Sequence, residues 1–276
     1  MLPHKVLMCK PDYFDVTYYG NEFMKDNIGK TDKAEAMRQW KSLKEIYGSL
    51  GYEVALIPPA EGLVDMVFTA NQSLPFLDEH GSKNVILSKM KNEQRQSEVK
   101  FFREFYGNLG YKIHELPDNV KYFESMGDCV IDFDRNILFG GHGFRTDEIT
   151  YDYIAEYTNF NIVKLKLINP FLYHLDTCLS VLNKDTAVIA EDAFDTQSLA
   201  TLKSYFQNII IADTQENLKY FVCNCHCPDG KNVIVQSGSV KFKEDIKKSG
   251  FNLIETETAE FIKSGGSVFC MKLMLY

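Results

Sequence analysis

The chain has 276 residues, 45% of them hydrophobic, and a formal net charge of −8 from 38 acidic and 30 basic residues. This length can bury a substantial core, whereas an acidic chain without a basic stripe is poorly suited to bind nucleic-acid backbones. No apolar run approaches the roughly 20 residues that span a bilayer, and the first residues lack a signal peptide's apolar stretch. We therefore expect a cytoplasmic protein with neither a membrane nor a nucleic-acid partner.

The predicted elements follow an internal repeat. EIYGSLGYEVALIP (residues 45–58) recurs as EFYGNLGYKIHELP (residues 104–117), with weaker echoes at 157–167 and 246–257. Gly51 and Gly110 stand where a helix would end on a glycine with positive φ, and a strand-like run follows each. Two further strand-like runs precede most of the helices, so the unit is strand, strand, helix, strand, roughly 50 residues long.

KVLMCKP near the start and SVFCMKLML near the end complete one broken unit, which gives about five units in all. We therefore predict one α/β domain over residues 1–276, built from ββαβ modules with circular pseudo-symmetry. The alternative is a doubly wound parallel sheet, but two strands before most helices argue against it. GGHGF (residues 140–144) lacks the third glycine of a dinucleotide-binding loop, so we expect no nucleotide.

Seven scattered cysteines do not form a disulfide pattern. The run CNCHC (residues 223–227) alternates as a strand with one cysteine face would. Paired zinc ligands usually keep two to four residues between them, which this run does not. We therefore predict a strand here and no metal or other cofactor.

Polar residues follow four of the strand-like runs. They are Asp65 with Asn71, Glu124 with Asp128, His174 with Asp176, and Cys270. Singly, each has a structural interpretation: a histidine is often a satisfied core residue, and a free cysteine is often a small buried hydrophobe. Together, acidic residues, His-x-Asp and a cysteine after two glycines indicate a catalytic pocket where strand ends converge.

This set suits chemistry on a guanidino group. Asp65 and Glu124 can bind the planar cation through charge-assisted hydrogen bonds, and the Cys270 thiolate can attack its central carbon. His174 would protonate the departing nitrogen and then take a proton from water. Either Asp176 or Glu124 would orient the imidazole, and Asp128 is a further candidate substrate ligand.

Two arginines are candidates for binding the carboxylate of an amino-acid substrate. Arg145 lies in GGHGFRTD and Arg95 in KNEQRQSE, each near a predicted helix start. A guanidinium binds a carboxylate in two-point geometry. Arg95 could equally be an ordinary exposed helix residue.

These motifs resemble those of the guanidino-group-modifying (pentein) superfamily over essentially the whole chain, from residue 8 to residue 271. The resemblance implies a five-bladed α/β propeller with pseudo-five-fold symmetry, and a covalent thiouronium intermediate. DMVFTANQSL, GFRTD and HLDTC look most like the arginine dihydrolase group. By this resemblance Asn21 contacts substrate, Asp65 binds the guanidino nitrogens, and Asn71 replaces a carboxylate found in deiminases and dimethylaminohydrolases.

That replacement has a chemical interpretation. An amide can donate to the carbonyl oxygen of a ureido group, which a carboxylate would repel. Asn71 would then let citrulline react again to give ornithine, ammonia and carbon dioxide. Three positions depart from the family pattern, since Ser125 and Ser264 replace glycines and Phe269 replaces an arginine.

Hydrolysis of arginine or a close derivative is therefore the favoured hypothesis. The enzyme alternatives are an amidinotransferase, a methylarginine hydrolase that releases methylamine, and a citrulline hydrolase. A propeller that only binds a partner is the non-enzyme alternative, but it would need neither Cys270 nor His174. A homo-oligomer is left open.

Overall fold

The structure, a computed structural model, describes residues 2–276. Its strands are β1 (Lys5–Cys9), β2 (Glu53–Ile57), β3 (Ser73–Leu77), β4 (Lys83–Leu87), β5 (Lys112–His114), β6 (Cys129–Asp132), β7 (Ile137–His142), β8 (Asn161–Lys166), β9 (Leu179–Asn183), β10 (Thr186–Ile189), β11 (Asn208–Ile211), β12 (Asn232–Gln236), β13 (Asn252–Thr256) and β14 (Leu273–Leu275). Its α-helices are α1 (Lys33–Ser49), α2 (Glu93–Gln96), α3 (Val99–Asn108), α4 (Thr150–Tyr157), α5 (Thr196–Ser204), α6 (Thr214–Tyr220), α7 (Val240–Lys248) and α8 (Ala259–Ile262).

In residues 2–276 the strands form five small sheets that repeat one pattern. In three of them an antiparallel pair is followed by a parallel strand: β3-β4-β5, β6-β7-β8 and β9-β10-β11. The fourth joins the two ends of the chain, because β1 pairs antiparallel with β14 and parallel with β2. The fifth is the parallel pair β12-β13, preceded by a single antiparallel bridge between His226 and Ile234. The mixed α/β class and the broken terminal unit are thus as predicted.

The repeated glycines end their helices as the sequence indicates. Gly51 follows α1 with φ +87° and Gly110 follows α3 with φ +73°, a region that side chains rarely adopt. At the other end of α1, Oδ1 of Asp32 accepts from the backbone N–H groups of Ala34 and Glu35 at 3.0 Å each. These caps fix where each chain segment turns back toward its sheet.

The helices cover the sheets through large buried aromatic side chains, among them Phe102 and Tyr106 of α3 and Tyr151 of α4. Gly140 in β7 lies directly under the Tyr151 ring, where an added Cβ would collide with it. The close approach of α4 to its sheet therefore requires glycine at this position. The same ring's hydroxyl donates to the carbonyl of Gly141 at 2.6 Å.

Three predicted strands begin later in the structure than the sequence pattern predicts. Residues 65–72 form turns before β3, and short 3₁₀ helices at Ser125–Gly127 and Leu175–Thr177 precede β6 and β9. The predicted cysteine strand is also wrong, because Val222–Asn224 is a 3₁₀ helix and His226 forms only the isolated bridge. Apolar residues without periodicity are equally compatible with a buried loop.

Among residues 2–276, no helix has the length and apolarity needed to cross a membrane. In the same residues, no group of three or more His, Cys, Asp and Glu side chains is arranged to hold a metal ion.

Candidate active site

Side chains that are far apart in sequence line one small pocket. Its lining includes the predicted residues Asn21, Asp65, Asn71, Arg95, Arg145, His174 and Cys270. Three other predicted residues, Glu124, Asp128 and Asp176, are buried and are not part of this lining. The free volume of the pocket is only about 20 Å³, because its own side chains bond across it.

A single asparagine holds the turn that carries Cys270. Oδ1 of Asn224 accepts hydrogen bonds from the backbone N–H groups of Ser267 and Phe269 at 3.1 Å each, and of Cys270 at 3.3 Å. Its Nδ2 donates to Sγ of Cys270 at 3.2 Å and to the carbonyl of Asp176 at 2.9 Å. The buried Asn224 therefore sets both the path of the turn and the position of the sulfur.

The thiol of Cys270 donates to Oδ2 of Asp176 at 3.1 Å. Burial, followed by the negative charge of Asp176, raises the pKa of the Cys270 thiol well above its usual value. Burial also raises the pKa of Asp176 to about 7, although the bond from Cys270 opposes this. The two groups therefore form a pair in which the sulfur keeps its proton and the nearest base is this carboxylate.

The imidazole of His174 is oriented by Glu124. Its Nε2 lies 2.8 Å from Oε2 of Glu124, and the same oxygen lies 3.1 Å from a guanidinium nitrogen of Arg145. Burial would raise the pKa of Glu124, but the positive charges of Arg145 and His174 hold it below its usual range. The ionised Glu124 therefore fixes the orientation of the ring.

Asp65 faces the pocket but binds protein groups. Its Oδ2 accepts from the Tyr18 hydroxyl at 2.5 Å, and its Oδ1 accepts from Oγ of Ser264 at 3.0 Å. A guanidinium that binds this carboxylate can displace the Tyr18 hydroxyl. A cation is a stronger partner than a neutral hydroxyl, so the exchange is favourable.

Arg95 is buried and fixes the orientation of Asn71. It bonds Glu98 at 3.0 Å, and its Nη1 donates to Oδ1 of Asn71 at 2.9 Å. A guanidinium can only donate, so the amide oxygen must face Arg95 and the amide NH₂ must face away. That Nδ2 has no hydrogen-bond partner among residues 2–276.

Gly127 lets this amide lie beside the imidazole. A Cβ at this position would be 2.5 Å from Nδ2 of Asn71 and 3.2 Å from the ring of His174. Only glycine leaves room for both side chains. The free NH₂ donor, the ring and the thiol of Cys270 therefore all lie at one pocket.

The remaining predicted residues also make protein contacts. Asp128 accepts from Oγ1 of Thr146 at 2.7 Å and from the backbone N–H of Leu175 at 3.1 Å, which supports the turn after His174. Nδ2 of Asn21 donates to the carbonyl of Ser264 at 2.9 Å. Asn21 thus lines the pocket while it anchors the turn that leads to the cysteine.

A family model described as "N,N dimethylarginine dimethylhydrolase, eukaryotic" matches residues 10–275. The chain belongs to this family. The bifunctional arginine dihydrolase/ornithine cyclodeaminase ArgZ of Synechocystis sp. is 33% identical over 98% of the chain. The N(G),N(G)-dimethylarginine dimethylaminohydrolase of Mycobacterium tuberculosis is 30% identical over 98% of the chain and 85% of its own length.

Solved structures agree with this membership. The N-terminal domain of an ArgZ variant, covalently bound to a reaction intermediate, has a TM-score of 0.91 at 34% identity and matches 99% of the chain and 97% of that domain. The chain spans only 37% of the length of full ArgZ. This member of the dimethylarginine dimethylhydrolase family thus corresponds to the N-terminal part of that relative.

For this family member, the sequence did not reveal several residues that hold the site together. Tyr18, Glu98 and Asn224 were not predicted, although each bonds a predicted residue directly. The spacing of Glu98, three residues after Arg95, weakly indicates an ion pair on one helix face. Asn224 lies within CNCHC and belongs to no recognisable motif. Asp176 was offered as one of two partners for the imidazole, whereas in the structure Glu124 takes that place and Asp176 bonds the thiol.

Proposed function

We propose that this chain hydrolyses guanidino C–N bonds of arginine through a covalent intermediate on Cys270, and continues through citrulline to ornithine, ammonia and carbon dioxide. One observation carries the proposal: the NH₂ of Asn71 has no partner and lies beside His174 in the pocket that Cys270 lines. The likeness to the arginine dihydrolase part of ArgZ supports the same substrate.

Binding of arginine would begin at Asp65. Its buried carboxylate would exchange the Tyr18 hydroxyl for the guanidinium, forming charge-assisted hydrogen bonds. The positive charge of the substrate beside the sulfur would lower the pKa of the Cys270 thiol, which burial and Asp176 otherwise raise. The nucleophile would therefore form only when substrate is present.

In the first half-reaction the thiol proton would pass to Asp176, whose Oδ2 lies 3.1 Å away. The thiolate would attack the guanidino carbon to form a C–S bond. Protonated His174, paired with Glu124, would donate its proton to the departing nitrogen. The C–N bond would break, releasing ammonia and leaving a thiouronium on Cys270.

In the second half-reaction neutral His174 would take a proton from water, which attacks the thiouronium carbon. The C–S bond would break, the sulfur would regain its proton and citrulline would form. If citrulline stays bound, its ureido oxygen would accept a hydrogen bond from the NH₂ of Asn71. A second attack would release ammonia and leave a thiocarbamate, which water converts to a carbamate that decomposes to ornithine and carbon dioxide.

Hydrolysis of dimethylarginine is the second candidate, favoured by the family description and by the Mycobacterium tuberculosis relative. The surroundings of Asp65 argue for unmethylated arginine instead. Tyr18 and Ser264 bond both carboxylate oxygens, so protein groups already crowd this carboxylate. Two N-methyl groups would remove N–H donors and add bulk at this carboxylate.

We also propose that residues 1–276 form one domain in which the five sheets are blades around a common axis. The repeated strand pattern of the sheets supports this arrangement. So does the pairing of β1 with β14, which would close the ring. The site would then lie at one end of the axis, where turns from different blades meet.

Product analysis tests the function. Arginine, asymmetric dimethylarginine and citrulline are incubated separately with the protein, and the products are identified by mass spectrometry. We expect ornithine from arginine and from citrulline, little dimethylamine release from asymmetric dimethylarginine, and no guanidinoacetate when glycine is added. Cys270→Ala should abolish turnover, while the control Cys227→Ala, outside the pocket, should keep it. Ornithine formation by Cys270→Ala would refute the covalent route.

A further inference from the structure

A second cavity lies in the part of the molecule formed by β6, β9 and the start of β14, and it shares no lining residue with the candidate active site. Its volume is about 190 Å³, compared with about 20 Å³ for the candidate active site. A cavity of about 10–15 Å³ is already large enough for one water molecule, so this one has space for several. A cavity of this size can hold a small organic molecule.

The polar group that distinguishes this cavity is the ammonium of Lys272. The residue is only 1% exposed, yet it lines the cavity. Within residues 2–276 its Nζ makes no hydrogen bond and no ion pair, and its close contact is the ring of Phe269, with Nζ 3.3 Å from the ring centre. A buried ammonium without a hydrogen-bond acceptor is unfavourable unless such an acceptor can reach it.

The cavity offers no carboxylate of its own to Lys272. Asp132 is buried but bonds Nε of Arg135 at 2.6 Å and the backbone N–H groups of the turn that follows. Asp134 and Asp229 are exposed at the mouth, where water solvates them. Lys272 is therefore the buried cation of this cavity, and the two exposed aspartates lie at its rim.

Apolar side chains also line the cavity, among them Val130, Leu182, Phe269 and Met274. One buried positive charge among apolar walls suits a ligand with one negative charge and a short apolar body. A second negative charge would face either the apolar walls or the acidic rim. We propose that this cavity binds a small monocarboxylate, whose carboxylate pairs with Nζ of Lys272.

Titratable groups around Lys272 make this binding dependent on pH. They are Cys270 and Asp176 on the active-site side, His226 and Cys227 in the wall, and Asp132, Asp134 and Asp229 toward the rim. Burial lowers the pKa of Lys272 to about 7, although Asp176 and Cys270 oppose this. Burial, followed by Lys272, lowers the pKa of His226 well below its usual value, so this ring stays neutral.

A bound carboxylate would favour the charged form of Lys272, so binding would take up a proton. The carboxylate should therefore bind tightly below pH about 7 and progressively more weakly above it. The affinity should fall about ten-fold between pH 6 and pH 8. This site stands apart from the proposed function and does not depend on it.

Methionine methyl groups report on the two pockets separately. Met126 and Met274 line the second cavity, and Met24 lines the candidate active site. The protein is labelled with ¹³C-methyl methionine, and isobutyrate is titrated at pH 6 and pH 8. We expect saturable shifts at Met126 and Met274 but not at Met24, with at least ten-fold weaker binding of the neutral isostere isobutyramide.

Lys272→Met should abolish these shifts, whereas Lys184→Met, at an exposed ion pair with Asp185, should leave them unchanged. Shifts at Met24 alone, equal binding of isobutyramide, or the same affinity at both pH values would overturn the proposal. The pH series and the isobutyramide comparison use the unaltered protein, so they decide the question even if Lys272→Met does not fold.

Discussion

Replacing Asn71 by aspartate separates the two stages of the proposed reaction. The change keeps the oxygen that accepts from Arg95 at 2.9 Å but turns the unpartnered NH₂ into a second acceptor. The proposed donor to the ureido oxygen is then lost. Loss of one such preorganised donor typically lowers kcat by about 100- to 1,000-fold, and two oxygens facing each other add repulsion.

We therefore expect Asn71→Asp to convert arginine to citrulline and to release it, while ornithine formation from citrulline falls by at least about 100-fold. Time courses from isotope-labelled arginine and from citrulline, followed by mass spectrometry, measure both stages. Asn92→Asp is the matched control, because the Asn92 side chain also lines the pocket but hydrogen-bonds neither the Asn71 amide nor the Arg95 guanidinium. Ornithine production from citrulline at the original rate would refute the role of the amide.

Three further changes probe the network. Glu124→Gln should lower the free energy of unfolding by about 3–5 kcal/mol, since it leaves Arg145 buried without its counterion; an unchanged denaturation midpoint would contradict this. Ser125→Gly should raise that free energy by about 1 kcal/mol, because Ser125 has φ +50°, and a lower melting temperature would count against strain. Asp176→Asn should let iodoacetamide alkylate Cys270 at lower pH, since it removes a charge that raises the thiol pKa; an unshifted pH profile would exclude this coupling.

Local sequence signals were sufficient to predict the repeating unit. Gly51 and Gly110 mark helix ends because only glycine readily adopts positive φ there. The strand after each of them follows directly, and the same unit then predicts the partners β1 and β14 at the two ends of the chain. The helix ends depend on neighbours in sequence, and the pairing of the two chain ends follows from completing the repeat, so the sequence alone was enough to predict both.

The turns before the strands were not predictable in this way. DMVFTANQSL and YFVCNCHC are rich in apolar and β-branched residues, which are also typical of strands. In the structure their backbone groups bond to side chains and to other loops, as when the N–H of Phe269 donates to both the carbonyl and Oδ1 of Asn224. Such bonds join residues distant in sequence, and no local pattern reports them.

The sequence was enough to propose candidate site residues but not to propose how they pair. Cys270, His174, Glu124 and Asp176 were all proposed from motif chemistry. Glu124 bonds the imidazole from 50 positions away in the sequence, and Asp176 bonds the thiol from 94 positions away. The sequence alone does not show which carboxylate makes which bond. Lys272 and Asn224 belong to no sequence motif. Their proposed roles follow only from the residues that surround them in the structure.

The pKa values of Glu124 and Asp176 are shifted in opposite directions, and this difference assigns the proton transfers. Glu124 is held below its usual pKa by two cations, so it remains ionised and cannot store a proton. Burial raises the pKa of Asp176 to about 7, so it can accept the thiol proton near neutral pH. Turnover should therefore increase as the pH rises through about 7.

The same raised pKa means that Asp176 favours the folded state at low pH, and that this contribution is lost as the pH rises from about 4 to about 7. The group that limits activity on the acid side is then also one that destabilises the fold at neutral pH, as expected if the carboxylate is retained for its chemistry.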